Sequence, residues 1–252
     1  MSEKFESFEP VAEKKEGYDV SATVYLMRHP HKDSYEGDVS NQGIEDTEKL
    51  KLLFDRYQKI YKTDDLEVSH SGHKRPLKAA QILSGLPADN NEESKNGVRE
   101  SLAFIGSEKL EEKYKEIVDK NNGDESEAAQ MLIDTGDKRF DEESLSSVEI
   151  SQRIAQELLD IVEQTKTYKS GTKKPIILIS HSGVVENFLV DLLKKRPEEH
   201  SLEAIGGRLD FLEDMRLYIN RCSPEEVSLR YRFRDWQGEL SEADLRKLAG
   251  TP

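Results

Sequence analysis

The stretch Thr23-Val24-Tyr25-Leu26-Met27-Arg28-His29-Pro30 is a short apolar run that ends abruptly in an arginine, a histidine and a proline. Apolar and β-branched residues followed by a breaker are typical of a buried parallel strand. Pro30 cannot donate to a β-ladder and pushes His29 toward extended backbone, so we expect the strand to end there. In open α/β sheets, ligands bind beyond the carboxyl ends of the strands. Arg28 and His29 are therefore either site residues or ordinary residues at a strand end.

The composition limits the class of protein. A chain of 252 residues is long enough for one α/β domain with an insertion. Its formal charge of −14 disfavours nucleic acid and anionic membranes as partners. Cys222 is the single cysteine, which excludes an intramolecular disulfide and a cysteine-rich zinc site. No apolar run approaches the roughly 20 residues of a membrane span. Residues 1–19 do not resemble a signal peptide, so we expect a cytoplasmic protein.

Hydrophobic periodicity and turn residues divide the chain into alternating strands and helices. Further strands are predicted at 65–69 and at 175–180, where a second apolar run again ends in a histidine, His181. Helices are predicted at 43–62, 76–83, 145–162, 184–193 and 239–248. Residues 215–221 and 227–233 alternate on either side of a Ser-Pro-Glu-Glu turn, as the strands of a hairpin do. Residues 98–104 are expected to be a strand or an extended segment.

This alternation favours a layered α/β fold with a mostly parallel sheet. Residues 1–20 lack apolar periodicity, and we expect them to form a flexible N-terminal arm. Residues 21–252 would then form one domain. Within it, residues 106–141 are acidic and helical in tendency but weakly patterned. We therefore expect 103–145 to be a helical insertion, or lid, over the active-site end of the sheet.

Five of the six histidines follow predicted strands: His29, His31, His70, His73 and His181. If those strands are neighbours, Arg28-His29, the loop 71–75 and His181 would converge. Guanidinium groups that hold oxygens bidentately, together with imidazoles, suit a dianionic phosphate. Taken singly, each histidine is better explained as an ordinary surface or core residue.

Several short motifs occur in a fixed order between residues 22 and 190. They are Leu26-Met27-Arg28-His29, Ser40-Asn41-Gln42-Gly43, Ser71-Gly72-His73-Lys74-Arg75 with Ala79-Ala80-Gln81-Ile82-Leu83, Arg99-Glu100-Ser101-Leu102, Glu143-Ser144-Leu145 with Arg153, and Ile179-Ser180-His181-Ser182-Gly183. The ordered set resembles branch 1 of the histidine phosphatase superfamily, also called phosphoglycerate mutase-like. The resemblance implies a three-layer α/β/α fold. It also implies a metal-independent phosphatase that needs no cofactor and acts on a small anionic phosphomonoester.

The resemblance also implies a role for each matched residue. His29 would attack phosphorus and form a phosphohistidine intermediate, with its other ring nitrogen held by a backbone carbonyl. Arg28 and Arg75 would bind the equatorial oxygens in the transition state, with His181 beside them. Glu100 would protonate the leaving oxygen and later activate water.

Two residues depart from the motifs of this superfamily. Pro30 stands where a glycine usually follows the histidine, and it removes an N–H that could have bonded a phosphate oxygen. Ser182 replaces the first glycine of the second histidine motif, where it would contact substrate. His31, Lys32, His73 and Lys74 would either add local positive charge or form a solvated surface.

Other functions stay open at this point. One alternative is a mutase of the same fold, which would return the phosphate to its substrate. A second is a phosphate-binding protein with weak catalysis, in which Pro30 would be the cause of the weak activity. A metallohydrolase is a third alternative, because His29-x-His31 and His70-x-x-His73 have two-ligand spacings. That alternative leaves the arginine and glutamate motifs unexplained. Nothing in the sequence defines the substrate or an oligomeric state.

Overall fold

The computed structural model describes residues 19–33, 37–63, 66–85, 97–193 and 201–251. Its strands are β1 (Val20–Arg28), β2 (Glu67–His70), β3 (Lys173–Ser180), β4 (Asp214–Arg221), β5 (Val227–Phe233) and β6 (Trp236–Leu240). Its α-helices are α1 (Asn41–Tyr61), α2 (Lys74–Ser84), α3 (Glu108–Lys120), α4 (Ser126–Asp134), α5 (Ser147–Gln164), α6 (Val184–Leu193) and α7 (Glu242–Leu248). The proposed N-terminal arm lies outside these residues except for its last two positions.

The strands form one mixed sheet in the order β2-β3-β1-β4-β5-β6. β1 and β3 are parallel neighbours, and β2 pairs in parallel with β3. The three pairings on the other side, from β1 through β4 and β5 to β6, are antiparallel. β5 consequently runs in the same direction as β1, β2 and β3, and the sheet is mostly but not entirely parallel. The predicted hairpin is the β4–β5 pair.

Side chains of the central strands alternate between two cores, as the pleat requires. On one face, Val24 and Leu26 of β1 pack with the apolar sides of α5 and α6 and with Leu245 of α7. On the other face, Tyr25 and Met27 pack with the apolar sides of α1 and α2. Helices therefore cover both faces of the sheet, and the predicted three-layer α/β/α arrangement is confirmed.

The segment predicted as a helical insertion contains α3 and α4. Leu110, Tyr114 and Val118 of α3 form a small apolar cluster with Ala128 and Leu132 of α4. Two other residues of α4, Ala129 and Ile133, belong to the larger core against α5 and α6. The two helices thus form a unit that is anchored to the main core through one face of α4.

Two predicted segments differ from the structure. Residues 98–104 do not form a strand: Val98 makes a single bridge to His70, and a turn of 3-10 helix follows at Glu100–Leu102. The C-terminal helix begins at Glu242 instead of 239, because the preceding residues pair with β5 as β6. Over the described residues, no helix is long and apolar enough to cross a lipid bilayer.

Helix α5 begins with a capping box, in which the side chains of Ser146 and Glu149 each accept from the other's backbone amide. We predict that Ser146→Ala lowers the free energy of unfolding by about 1 kcal/mol, because the backbone amide of Glu149 loses the Ser146 hydroxyl as its acceptor. Urea unfolding monitored by circular dichroism measures this loss. An unchanged unfolding midpoint with an unchanged slope would contradict the cap's contribution.

Candidate active site

The order β2-β3-β1 brings three motif-bearing strand ends side by side. The amide of His29 donates to the carbonyl of Ser180 at 2.9 Å, so the two histidine motifs leave the sheet together. The rings of His29 and His181 lie edge to face with their centroids 5.6 Å apart. On the β2 side, the Ser71 hydroxyl and His181 Nε2 form a 2.8 Å hydrogen bond. The convergence expected from the sequence therefore follows from strand order.

His29 has a defined tautomer. Its Nδ1 lies 2.8 Å from the carbonyl oxygen of Pro30, which can only accept, so Nδ1 carries the proton. Nε2 is then left with a lone pair. Burial is the largest cause that lowers the pKa of His29 well below 6.5, and His181 and two arginines add to it. A neutral imidazole with a free Nε2 is the form a nucleophile requires.

The loop after His29 is fixed against helix α1. The Ser40 side chain caps α1 by accepting from the amide of Gly43, and it also lies 2.8 Å from Nδ1 of His31. A Cβ atom on Gly43 would lie 2.3 Å from the carbonyl oxygen of His31, which explains why only glycine fits. The Ser-Asn-Gln-Gly motif thus anchors the histidine loop to the helix.

A buried carboxylate organises the second histidine motif. Glu186, on α6, accepts from the Ser182 hydroxyl at 3.1 Å and from the amide of Gly183 at 2.7 Å. It also accepts from the amide of Leu209 at 3.1 Å. Gly183 has a φ of +84°, which a side chain would strain. Glu186 therefore links the turn after His181 to the segment that contacts Arg28.

Arg28 is almost completely enclosed, with an exposed fraction of 1%. Its Nη1 donates to the carbonyl of Leu209 at 2.7 Å, and its Nη2 donates to Glu125 at 2.7 Å. Its guanidinium carbon lies 4.1 Å from the centroid of the Phe211 ring. Nε is buried with no hydrogen-bond partner among the described residues. One buried donor of Arg28 is therefore left without an acceptor among the described residues.

Glu125 gathers three cations around one carboxylate. It contacts Arg28 and Arg208 at 2.7 Å each and pairs with Lys32, and only 3% of its side chain is exposed. Burial alone would raise the pKa of Glu125, but the three cations together lower it, so the group is ionised near neutral pH. Burial lowers the pKa of Lys32 to about 8, although Glu125 opposes that shift. This cluster carries an excess of positive charge.

A pocket of about 420 Å³ opens above these groups. Six basic side chains line it: His29, Lys32, His73, Lys74, Arg75 and His181. Its other lining residues are Gly37, Phe104, Glu111, Tyr114, Glu125 and Ser182, several of which belong to α3 or to the α3–α4 connection. Lys32, Lys74 and Arg75 outnumber Glu111 and Glu125 in this lining, so the pocket is suited to a small anionic ligand although the chain has a net charge of −14.

The predicted site residues are placed unequally. His29, Arg75, His181 and Ser182 line the pocket together, and Arg28 lies beside it behind Glu125. Glu100 is different: it is exposed on the 3-10 turn, where its carbonyl accepts from Arg153, and it is not among the described residues that line the pocket. From the same segment, Phe104 reaches the pocket instead. Glu100 is thus exposed and outside the residues that line the pocket, and its role as the acid stays a prediction.

Three of the four histidines with metal-ligand spacing make a hydrogen bond through Nδ1. The Nδ1 atoms of His29 and His31 are bonded to different partners, and Nδ1 of His70 accepts from the amide of Gly72. Across the part of the chain that the structure describes, no group of three or more histidine, cysteine or acidic side chains is arranged to hold a metal ion.

Several residues of this site were missed by sequence reasoning. Glu186 could have been found, because a carboxylate among the mostly apolar residues of Val184–Leu193 has to be satisfied by neighbours. Glu125, Arg208 and Phe211 gave no comparable signal, since each lies in a polar or turn-rich stretch far along the chain from Arg28. Only the folded chain brings them together.

No family model matches the chain, and no curated protein matches it. Solved structures do resemble it. "Mycobacterial hydrolase 2" has a TM-score of 0.53 at 15% identity, with 91% of this chain and 97% of that chain covered. "Mycobacterial hydrolase 1" has a TM-score of 0.52 at 14% identity, with 87% and 100% covered. A mycobacterial glucosyl-3-phosphoglycerate phosphatase in complex with VO3 has a TM-score of 0.51 at 16% identity, with 87% and 99% covered.

These similarities define the class of fold. The chain has the phosphoglycerate mutase-like α/β fold of these solved structures, which is the fold that the resemblance of the ordered motifs implied. The similarity spans nearly the full length of the matched proteins, 100% and 97% of the two hydrolases.

The cluster around Glu125 supplies a test of its electrostatics. We predict that Glu125→Ala lowers the free energy of unfolding by about 3–5 kcal/mol, because it leaves three cations in or near the interior without their counter-charge. Inorganic phosphate should restore part of this loss, since a bound dianion can replace the carboxylate. Urea unfolding in phosphate and in chloride of equal ionic strength measures both effects.

Glu112→Ala is the matched control, because Glu112 is exposed on α3 and outside the pocket lining. It should change stability by only a few tenths of a kcal/mol. If Glu125→Ala changed stability as little as Glu112→Ala, the carboxylate would not balance the three cations. If phosphate stabilised the unchanged protein and both variants equally, phosphate would not be replacing the Glu125 carboxylate.

Proposed function

We propose that this chain is a metal-independent phosphatase that hydrolyses a phosphomonoester through a phosphohistidine on His29. The observation that carries the proposal is the buried, neutral His29 ring, whose Nδ1–H is committed to Pro30 and whose Nε2 is free beside cationic side chains. In the first step, the Nε2 lone pair attacks phosphorus, and the ester P–O bond breaks with its electrons on the leaving oxygen. In the second, water attacks phosphorus, and the P–N bond breaks to release phosphate and restore the imidazole.

Positive charge around His29 supports the phosphoryl transfer. Arg75 lines the pocket, and its charge acts on both His29 and His181. The unpartnered Nε of Arg28 offers a further donor to an equatorial oxygen. Preorganised donors of this kind stabilise the charge that develops on the transferred phosphoryl group. His181, held by Ser71, would complete the donor set.

The residue that departs from the superfamily's motif is compatible with this chemistry. Pro30 offers no N–H to the phosphate, but its carbonyl accepts the Nδ1 proton of His29. The ring of proline fixes the backbone φ at that position, which limits the movement of this carbonyl. This contact favours a catalytic protein over a phosphate-binding protein that has lost its activity. The fold adds support, since it also occurs in a phosphatase solved with VO3.

The intermediate itself is the most direct test. We predict that substrate turnover stopped by a rapid quench leaves phosphate on His29, in a form that is labile to acid and stable to base. Mass spectrometry of the quenched protein locates the label, and His29→Ala provides the unlabelled control. Label on a serine or an aspartate, or activity lost in EDTA and restored by zinc or manganese, would contradict the mechanism.

The role of Arg75 can be separated from simple positive charge. We predict that Arg75→Lys lowers kcat/KM by roughly 10²–10³-fold, as loss of a transition-state donor does, because a point charge cannot replace a guanidinium fork. Lys74→Ala removes a neighbouring exposed charge and should cost much less. Steady-state kinetics on an aryl phosphate measures both variants. Equal losses would mean that the loop contributes only charge.

A further inference from the structure

A leaving alkoxide needs a proton, and the site as described so far does not supply one. Glu100, the donor implied by the sequence resemblance, is exposed outside the pocket lining. Glu125 lines the pocket but stays ionised, because Arg28, Lys32 and Arg208 hold its charge. Lys32 is in turn held by Glu125. The proton donor is therefore to be found among the other lining residues.

His73 has the geometry that this role requires. It occupies the N-cap position of α2, yet its side chain makes no capping hydrogen bond. Its ring instead lies edge to face with His181, with the centroids 4.7 Å apart, and lines the pocket. His29 is 2% exposed at the floor of the pocket, whereas His73 is exposed at its mouth. An in-line attack by His29 sends the leaving group away from the floor, toward His73.

The groups that face His73 come from three elements. Burial is the largest cause that lowers the pKa of His73 from 6.5; Glu111 of α3 opposes this shift by favouring the protonated ring, and Arg75 of α2 adds to it. His181, beyond the end of β3, is buried and has a pKa well below 6.5, so it is neutral and adds no opposing charge near neutral pH. Glu111 therefore provides the one carboxylate among these neighbours, and it lies on the helix that covers the pocket.

We propose that His73 is the general acid and base of this site and that Glu111 is its positioning residue; the proposal rests on the phosphatase function above. In the first step, protonated His73 gives its N–H proton to the leaving oxygen as the P–O bond breaks. In the second, neutral His73 takes a proton from water as the new P–O bond forms and the P–N bond to His29 breaks. The ring thus returns to its protonated form, and the leaving alcohol carries one proton away.

The dependence on leaving group tests this role. His73→Gln is compared with the unchanged protein on an alkyl phosphate and on 4-nitrophenyl phosphate, whose phenolate leaves without a proton. Single-turnover phosphorylation of His29 by the alkyl phosphate should slow by roughly 10²–10⁴-fold, the contribution of general acid catalysis. Phosphorylation by the aryl phosphate should change by less than about tenfold, which also shows that the variant is folded.

Glu111→Gln tests the positioning residue through a pH profile. Loss of the carboxylate removes stabilisation of the protonated ring, so the fall in alkyl phosphate turnover with rising pH should begin at lower pH. A merely structural residue would lower turnover equally at every pH. Glu112→Gln is the matched control on the exposed side of α3, and its profile should coincide with that of the unchanged protein.

The outcomes separate this proposal from the proposed function. If His73→Gln slows both leaving groups equally, or neither, His73 is not the proton donor. A loss confined to the alkyl phosphate in Glu100→Gln instead would assign the donor to Glu100. If the unchanged protein forms no phosphohistidine with either ester, the phosphatase function itself fails, and the role of His73 fails with it.

Discussion

The hydrogen bond from the His29 amide to the Ser180 carbonyl is the contact on which the site depends. It continues the parallel β1–β3 ladder by one residue past Arg28 and fixes where both histidine motifs leave the sheet. Because side chains alternate with a period of two, a slip of one residue would turn Arg28 and its neighbours to the opposite face. The apolar residues on both faces of β1 prevent that slip, since Val24 and Tyr25 each fill a different core. Packing of the helices on both faces of the sheet therefore also fixes the positions of Arg28 and His29.

Burial of Arg28 places a second constraint on the fold. A guanidinium with 1% exposure requires partners, and it obtains them from Leu209, Phe211 and Glu125. Glu125 lies between α3 and α4, so the covering helices are attached to the site by an ion pair as well as by apolar contacts. Any anion that binds Arg28 meets the same carboxylate. The Glu125 carboxylate thus both balances positive charge beside the pocket and helps to hold α3 and α4 in place.

The sequence predicts those parts of the structure that depend on local pattern. Two apolar runs ending in histidine identified the paired central strands, and amphipathic periodicity located the helices of both layers. Residues 98–104 show why other features were missed. An extended segment at a sheet edge does not reveal which side chain turns inward, and Phe104, not Glu100, reaches the pocket. Likewise, apolar and polar residues alternate only weakly in the short strand β6, which contains Gly238. Its strand structure therefore depends on pairing with β5 and was not predicted from its own sequence.

Exposure of the three imidazoles rises from the floor of the pocket to its mouth. His29 and His181 are 2% and 8% exposed, and burial is the main reason that both have a pKa well below 6.5. This environment suits a nucleophile, because burial and the neighbouring arginines both disfavour the protonated ring. The neutral ring keeps the lone pair that attacks phosphorus. A group that exchanges protons needs the opposite environment, with access to water and a nearby carboxylate. His73 has both, because it is exposed and faces Glu111, which opposes the lowering of its pKa by burial. An imidazole is thus suited to different tasks by its depth in the fold and by the charges beside it.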